Sequence, residues 1–388
     1  MGSGVAETMR HFKGEKDGIG DITRLQTIHK GQLPVAEVDL SNEELSDLLA
    51  FTKSRSRTVL LGLLAAREAV ANFPLPFSAF KSGLISGTTV GGMDRTEDFF
   101  MEFLNDSTKG KLRDVVHHEC GMSTELMAAE LGIRDYISTI NTACSSSVNS
   151  IIYGSRLIKH GFLDVVIAGG VDSLTRFTIN GFNSLMILDK NPCRPYDQMR
   201  AGLNLGEGAG YVILVGEKIR RQLKLTSLGR VSGYANTNDS YHQTASSPEG
   251  KGSFLAMTGA LKMAGLSTKD IDYINLHGTG TQNNDHSEGT AIQRLFSSPF
   301  PKISSTKSFT GHTLGASGGI EAVFSVLAIR ESCVFPNLRF ENTIPEFSFL
   351  PQQTFESGIT IRHVMSNSFG FGGNCSSIIF SNQDEHVH

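Results

Sequence analysis

From about residue 80 to its end the chain alternates short apolar runs with longer amphipathic ones, and no Pro/Gly/Ser linker or low-complexity tract interrupts them. A run such as LDVVIAGG suits a strand covered on both faces. The stretch Ser145–His160 suits a helix instead, with Val148, Ile151, Ile152 and Ile158 on one side and Gly161 as its stop. Strands and helices that take turns in this way predict a layered α/β fold. In the first half the strands are SGLISGTT, YISTINTAC, LDVVIAGG and AGYVILVGE. In the second, a helix over KGSFLAMTGALKMAG is followed by the strands YINL and KISST and the apolar helix IEAVFSVLAI. A hairpin-like pair, ITIRHVMSNSF and SSIIF joined by GFGGN, closes the chain. Two similar α/β halves are expected, 1–225 and 226–388.

Composition removes several functions. The 35 Lys+Arg against 39 Asp+Glu leave a net charge of −4, without the basic excess that binds nucleic acid or an anionic membrane surface. The longest apolar stretch, Val59 to Ala66 with Gly62 inside it, is far shorter than the roughly 20 residues of a membrane helix. The N-terminal residues carry no apolar signal core, and Ala6 stands where a myristoylation signal needs Ser or Thr. Five cysteines without a CxxC argue against a disulfide framework or a zinc site, and a reducing cytoplasm is expected. His117, His118 and Cys120 lack further ligands for a metal. LGEGAG followed by Tyr211 fails the dinucleotide fingerprint, and Lys307–Ser308 lacks the glycines of a phosphate loop. Glycine, at 41 residues, is clustered at the predicted strand ends, where tight turns into helices are needed.

Three of those turns carry reactive side chains. Cys144, in NTACSSS, falls where a strand meets the first turn of a helix, and unpaired N–H groups with the helix dipole favour a thiolate there. His277 ends a strand in LHGTGT, and His312 precedes a helix in TGHTLGASG. Open α/β sheets bind ligands at the carboxyl ends of their strands, so a cysteine and two histidines at such ends point to acyl-thioester chemistry.

The segments NTACSSS, HGTGTQNNDHSE, STKSFTGHTLGASGGIE and NSFGFGGN together resemble, in order, the β-ketoacyl-acyl carrier protein synthases, the elongating condensing enzymes of fatty acid and polyketide assembly. The likeness runs from about residue 30 to residue 380. It implies the thiolase-like fold, two similar α/β halves in five layers (αβαβα), working as a dimer, either homodimer or heterodimer. It also implies decarboxylative condensation of a malonyl unit with an acyl chain held on Cys144, with His277 and His312 serving decarboxylation. The backbone N–H groups of Cys144 and Phe371 would form the oxyanion hole, and Phe371 would gate the acyl pocket. Lys307 and Glu288 resemble the family's paired lysine and glutamate, expected to support the second histidine. Asn275, Glu321, Ser366 and Asn367 match positions where some members hold a structural monovalent cation; no other cofactor is expected.

The resemblance further implies an acidic acyl carrier protein as partner, in acyl and malonyl forms, with Lys53, Arg55, Arg57 and Arg200 as the basic residues that would meet it. Two alternatives are a non-catalytic chain-length-factor-like subunit and a thiolase-like enzyme using coenzyme A thioesters. Retention of Cys144 with both histidines and Lys307 favours catalysis. The sequence departs from the family at Ala201 and Leu203, where an aspartate and a phenylalanine are usual, and at Cys375, usually asparagine. It also opens at MGSGVAET, where the family's first strand should already have ended. Either the start is placed late or the first sheet has a gap in its interior, with low stability expected.

Overall fold

The computed structural model describes residues 2–51, 55–71 and 73–383. Its strands in chain order are β1 (Ser82–Gly87), β2 (Tyr136–Ile140), β3 (Val165–Asp172), β4 (Gly208–Val215), β5 (Arg230–Asn238), β6 (Tyr273–Asn275), β7 (Lys302–Ser304), β8 (Cys333–Val334), β9 (Glu356–Ser357), β10 (His363–Phe369) and β11 (Asn374–Ser381). Its α-helices are α1 (Val5–Lys13), α2 (Asn42–Leu48), α3 (Arg57–Val70), α4 (Met93–Asn105), α5 (Cys120–Leu131), α6 (Ser146–Lys159), α7 (Arg176–Ser184), α8 (Glu217–Gln222), α9 (Lys251–Ala264), α10 (Gln282–Leu295), α11 (Lys307–Thr310) and α12 (Ser317–Arg330).

Two sheets result, ordered β2-β1-β3-β4 and β5-β11-β10-β6-β7. In each, an inner set of parallel strands carries one antiparallel neighbour, β4 on β3 and β11 on β10. The apolar run expected to be covered on both faces is β3, buried at every position. Helices α6 and α12 lie between the sheets and touch both, α3 and α5 cover the outer face of the first sheet, and α9 with α10 behind it covers the second. This is the five-layered arrangement that the family resemblance implies. An element packed on both sides needs no polar face, which is why IEAVFSVLAI can be apolar all round.

The central helices press unusually close to the sheets. A Cβ on Gly87 would stand 2.4 Å from the Ser147 nitrogen of α6, and one on Gly319 of α12 would stand 2.5 Å from the Gly210 carbonyl oxygen of β4. Glycine at these contacts brings the N-termini of α6 and α12 to the same point in the molecule, and the reactive residues sit there.

The sheets differ at one edge. In the second, β5 pairs antiparallel with β11. In the first, no strand among the described residues occupies the corresponding place beside β4. The expected gap is therefore at an edge rather than in the interior, and β1 and β3 keep both neighbours. Ala36 pairs with Leu205 and Glu207 at the foot of β4, and beyond it an open groove of about 1800 Å³ runs along the strand. β5 itself escapes the sequence reading because RVSGYANTN mixes polar and apolar residues without a clean period of two.

Candidate active site

The loop after β2 turns sharply at Ala143, whose φ of 53° lies in the left-handed region, and delivers Cys144 to the start of α6. Hydroxyls hold the turn: Ser146 Oγ accepts from Thr142 N–H at 2.9 Å and donates to the Ala143 carbonyl at 2.6 Å. Ser145 Oγ donates to Asn374 Oδ1 at 2.7 Å, and Asn149 donates to the same oxygen at 3.0 Å, so β11 of the second half braces the Cys144 turn of the first. His277 follows β6, and His312 lies between α11 and α12. The Cys144 sulfur and one ring nitrogen from each histidine all lie within 4.8 Å of one another, buried. The two imidazoles meet edge to face, centroids 5.4 Å apart.

The hydrogen bonds fix both tautomers. Leu314 N–H donates to His312 Nδ1 at 3.0 Å, and Ser317 Oγ lies 3.1 Å from the same nitrogen. The ring proton is therefore on Nε2. Lys307 Nζ donates to His277 Nδ1 at 3.3 Å, with the same consequence. Burial first, and then the Lys307 charge, hold both histidines well below the usual imidazole range, so they are neutral Nε2–H donors at pH 7.

The thiol behaves otherwise than expected. Burial pushes Cys144 up to about 11, against the pull of Lys307 and of the Phe371 N–H. The helix start does not deliver a resting thiolate, so the group at the site is a neutral thiol at pH 7.

Lys307 is paired with Glu321 at 2.5 Å, not with Glu288, and it touches the first histidine rather than the second. Glu288 is already committed: its two oxygens accept from His277 N–H at 2.9 Å and Gly278 N–H at 2.8 Å, and Asn367 Nδ2 donates to it at 3.1 Å. Glu288 thus fixes the backbone that carries His277. Of the four cation positions, Asn367 is spent on Glu288 and on Ser377. Glu321 Oε2 and Ser366 Oγ are buried oxygens without a partner, and Ser366 is in register with Asn275. Those oxygens suit a hard cation, and Glu321, Ser366 and Asn275 are the residues that would hold one.

Phe371 opens the glycine loop after β10. Its ring stacks on Phe182 of α7, centroids 5.8 Å apart and planes 18° apart. Gly372 and Gly373 behind it have φ of 80° and 79°, a conformation that side chains resist. Ala201, Leu203 and Cys375 line the same pocket as Cys144, Phe182 and Phe371. Burial pushes the Cys375 thiol up to about 12, and its sulfur is not part of the Cys144–His277–His312 cluster.

The basic residues expected at a carrier surface divide. Arg57 is half-buried and paired with Glu207, 2.6 Å away, and it donates to the carbonyls of Val38 and Leu40. Arg200 is 7 % exposed, beside the buried Asp285 at 3.7 Å. Both are spent inside the fold, which corrects the expectation for them. Arg55 meets Glu130 at 3.4 Å near the surface, and Lys53 lies outside the described residues.

Sequence reading missed Asp172. This buried carboxylate at the end of β3 accepts from Thr88 Oγ1, from Thr89 and Val90 N–H, and from Gly315 N–H of the second half at 2.7 Å. A lone acid closing a wholly apolar strand was the available signal.

The family description "Beta-ketoacyl synthase, N-terminal domain" matches residues 2–218, and "Beta-ketoacyl synthase, C-terminal domain" matches residues 228–341. A Staphylococcus aureus protein named 3-oxoacyl-[acyl-carrier-protein] synthase 2 is 33% identical over 396 residues, covering 98% of this chain and 95% of that relative. The solved ishigamide ketosynthase/chain length factor is similar with a TM-score of 0.90 and 27% identity, over 98% of this chain and 96% of that one. The ketosynthase ApeO, solved in complex with its chain length factor ApeC from Xenorhabdus doucetiae, is similar with a TM-score of 0.87 and 31% identity, over 98% and 94%.

Proposed function

The chain belongs to the β-ketoacyl synthase family, and we propose from that premise that it is a 3-oxoacyl-[acyl-carrier-protein] synthase whose acyl-carrying residue is Cys144. The observation that carries the assignment is the buried cluster of one thiol and two neutral imidazoles at the facing ends of α6 and α12. In the first step Cys144 Sγ attacks the acyl carbonyl of a carrier thioester; the Sγ–carbon bond forms, the carrier sulfur leaves, and the thiol proton goes to it. In the second, a malonyl thioester loses its carboxylate as carbon dioxide. The electron pair of the broken bond moves onto the thioester oxygen as an enolate, which the Nε2–H groups of His277 and His312 hold. The enolate carbon attacks the acyl-cysteine, the new oxyanion lies against the N–H groups of Cys144 and Phe371, and its collapse breaks the carbon–Sγ bond and frees the Sγ thiolate, which takes up one proton from solvent.

Lys307, tied to Glu321, keeps His277 in its donor tautomer; Glu288 holds the strand end. A monovalent cation at Glu321, Ser366 and Asn275 would neutralise part of the buried charge. The halves divide near residue 225, with the nucleophile in the first and both histidines in the second. An acyl carrier protein delivers both substrates, with Lys53 and Arg55 left as its basic contacts. A chain-length-factor-like role fits less well, because the nucleophile, both histidines and Lys307 are all in place.

The working unit is a dimer through the surface edge of β2. Ile137 of that strand is 40% exposed, and Phe100 and Leu104 of α4, with Leu112 and Val116 of the segment packed on it, are exposed as well, apolar side chains of the kind that isologous pairing covers. In the described residues no helix is long and apolar enough to cross a membrane, and the cytoplasm is the proposed location.

The test is intact mass after incubation with an acyl-carrier thioester, beside Cys144→Ala, and then with malonyl carrier added. An adduct that requires Cys144 and is discharged by malonyl carrier supports the assignment; no adduct on folded protein overturns it.

A further inference from the structure

We propose that Asn374 is a positioning residue for the oxyanion hole: its side chain clasps the foot of the Phe371 loop to the first turn of α6, so that the N–H groups of Cys144 and Phe371 keep one spacing. The role rests on the synthase reading, in which a tetrahedral oxyanion lies between those two groups. The donors come from different halves, one from the turn after β2 and the other from the loop after β10. The sheets that carry them are separate, so the distance between the donors has to be fixed at the site itself. Their backbones already touch: a Cβ on Gly370 would stand 2.9 Å from the Thr142 carbonyl oxygen and 3.1 Å from the Cys144 nitrogen. Contact of that kind stops the two turns from closing further but does little to stop them from parting.

Hydrogen bonds supply the opposite restraint. The Phe371 loop is closed on itself, Gly370 N–H donating to the Asn374 carbonyl at 2.8 Å and Gly373 N–H to the Gly370 carbonyl at 3.1 Å. Where Asn374 is held, the Phe371 N–H is held with it. Asn374 is held from the first half, through Ser145 and Asn149, and Asn236 Nδ2 of β5 donates to the same Oδ1 at 2.8 Å. Because both asparagines present their Nδ2 to it, the accepting atom is the carbonyl end of the Asn374 amide. The Ser145 hydroxyl is wholly buried, and its one proton is shared between that oxygen and the Thr142 carbonyl, also 2.7 Å away. Asn149 Nδ2 reaches back to Thr142 Oγ1 at 2.8 Å, while its Oδ1 accepts from Ser376 Oγ of β11 at 2.8 Å. The clasp therefore runs from the residue beside one donor to the closed loop that carries the other. An alanine at 374 would keep the backbone and remove every side-chain bond that joins the loop to α6.

The experiment compares full-length wild type, Asn374→Ala and Asn149→Ala in two single-turnover reactions and one measurement without substrate. Acyl transfer from a carrier thioester to Cys144 forms its oxyanion in the hole. Decarboxylation of malonyl carrier forms an enolate on His277 and His312 instead, so it reports on the fold and the histidines alone. Asn374→Ala is expected to slow acyl transfer about ten- to a hundredfold, less than the roughly 10²–10³-fold that outright loss of an oxyanion donor costs, and to leave decarboxylation within about twofold. Asn149→Ala, which removes one donor and keeps Asn374, is expected to show the same pattern with a smaller loss. Hydrogen–deuterium exchange at residues 370–374 is expected to rise in both, although Asn149 belongs to the other half. Acyl transfer that is unchanged in Asn374→Ala, or that falls in proportion to decarboxylation, overturns the proposal, and so does unchanged exchange at 370–374. A folded wild type that takes no acyl group overturns the synthase reading instead, while exchange at 370–374 still decides whether Asn374 holds the loop.

Discussion

The two halves put equivalent strand ends to different work. After β2 the first half presents Cys144; after β7 the second presents Lys307 and then His312. The end of β1 is tied down through Thr88–Val90, whereas the end of β6 carries His277. The end of β3 is Asp172, which makes that tie, whereas β10 runs on into the Phe371 loop. One half therefore supplies a buried thiol on a hydrogen-bonded mount, and the other supplies two imidazole N–H donors, a charged pair and the Phe371 loop. The difference teaches that a single supersecondary unit fixes where reactive groups can stand, while the residues at its strand ends decide what happens there.

The sharpest test of that division is to remove each half's contribution. Cys144→Ala should abolish acyl transfer, a loss of roughly 10⁴-fold or more, with the fold unchanged by circular dichroism; residual turnover near the wild-type rate would break the comparison. Next is the charge of the second half. Lys307→Met leaves Glu321 buried without its cation and His277 without its Nδ1 donor, and should cost about 3–5 kcal/mol in chemical denaturation. Removing the tie comes third. Asp172→Asn places an amide among N–H donors and should cost about 1–3 kcal/mol. Because Gly315 sits beside the His312 loop, condensation should fall more than acylation of Cys144 in single-turnover assays; an equal fall would mean that Asp172 serves stability alone.

The smallest effects are in pH. The Cys144 thiol at about 11 predicts that iodoacetamide labelling climbs about tenfold per unit from pH 7 to 10 without a plateau. A plateau near pH 8 would restore the thiolate expected from sequence. His277 and His312 are held below the unfolded value of about 6.5, so below that pH the unfolded chain takes up protons that the folded one refuses. Stability is full above about pH 6.5 and is lost below it, at most about 1.4 kcal/mol per unit for each histidine, and His312→Gln should reduce the slope.

Much of this was legible in the sequence, for identifiable reasons. Strands such as LDVVIAGG and helices such as Ser146–Lys159 announce themselves because packing on both sides or on one side leaves a pattern. Cys144, His277 and His312 stand out because glycine, serine and threonine surround them at strand ends. Pairings across the fold left no such trace. Lys307 chose Glu321 over Glu288 because Glu288 was already filled by backbone donors, and no spacing in the chain reveals that. Arg57 and Arg200 read as surface charge because their partners, Glu207 and Asp285, are distant in sequence. The thiol was misjudged because the helix start is visible in a sequence and the depth of burial is not.

The pairing of β5 with β11 also sets a clock. Residues 230–238 of the second half bond to residues 374–381, the last strand among the described residues. During synthesis at about 5–20 residues per second, β5 waits on the order of 10–30 seconds for its partner to be made. Through that interval β5 has no partner strand, because the neighbour it pairs with among the described residues is β11. The second sheet can therefore take its full strand order only once residues 374–381 have been made.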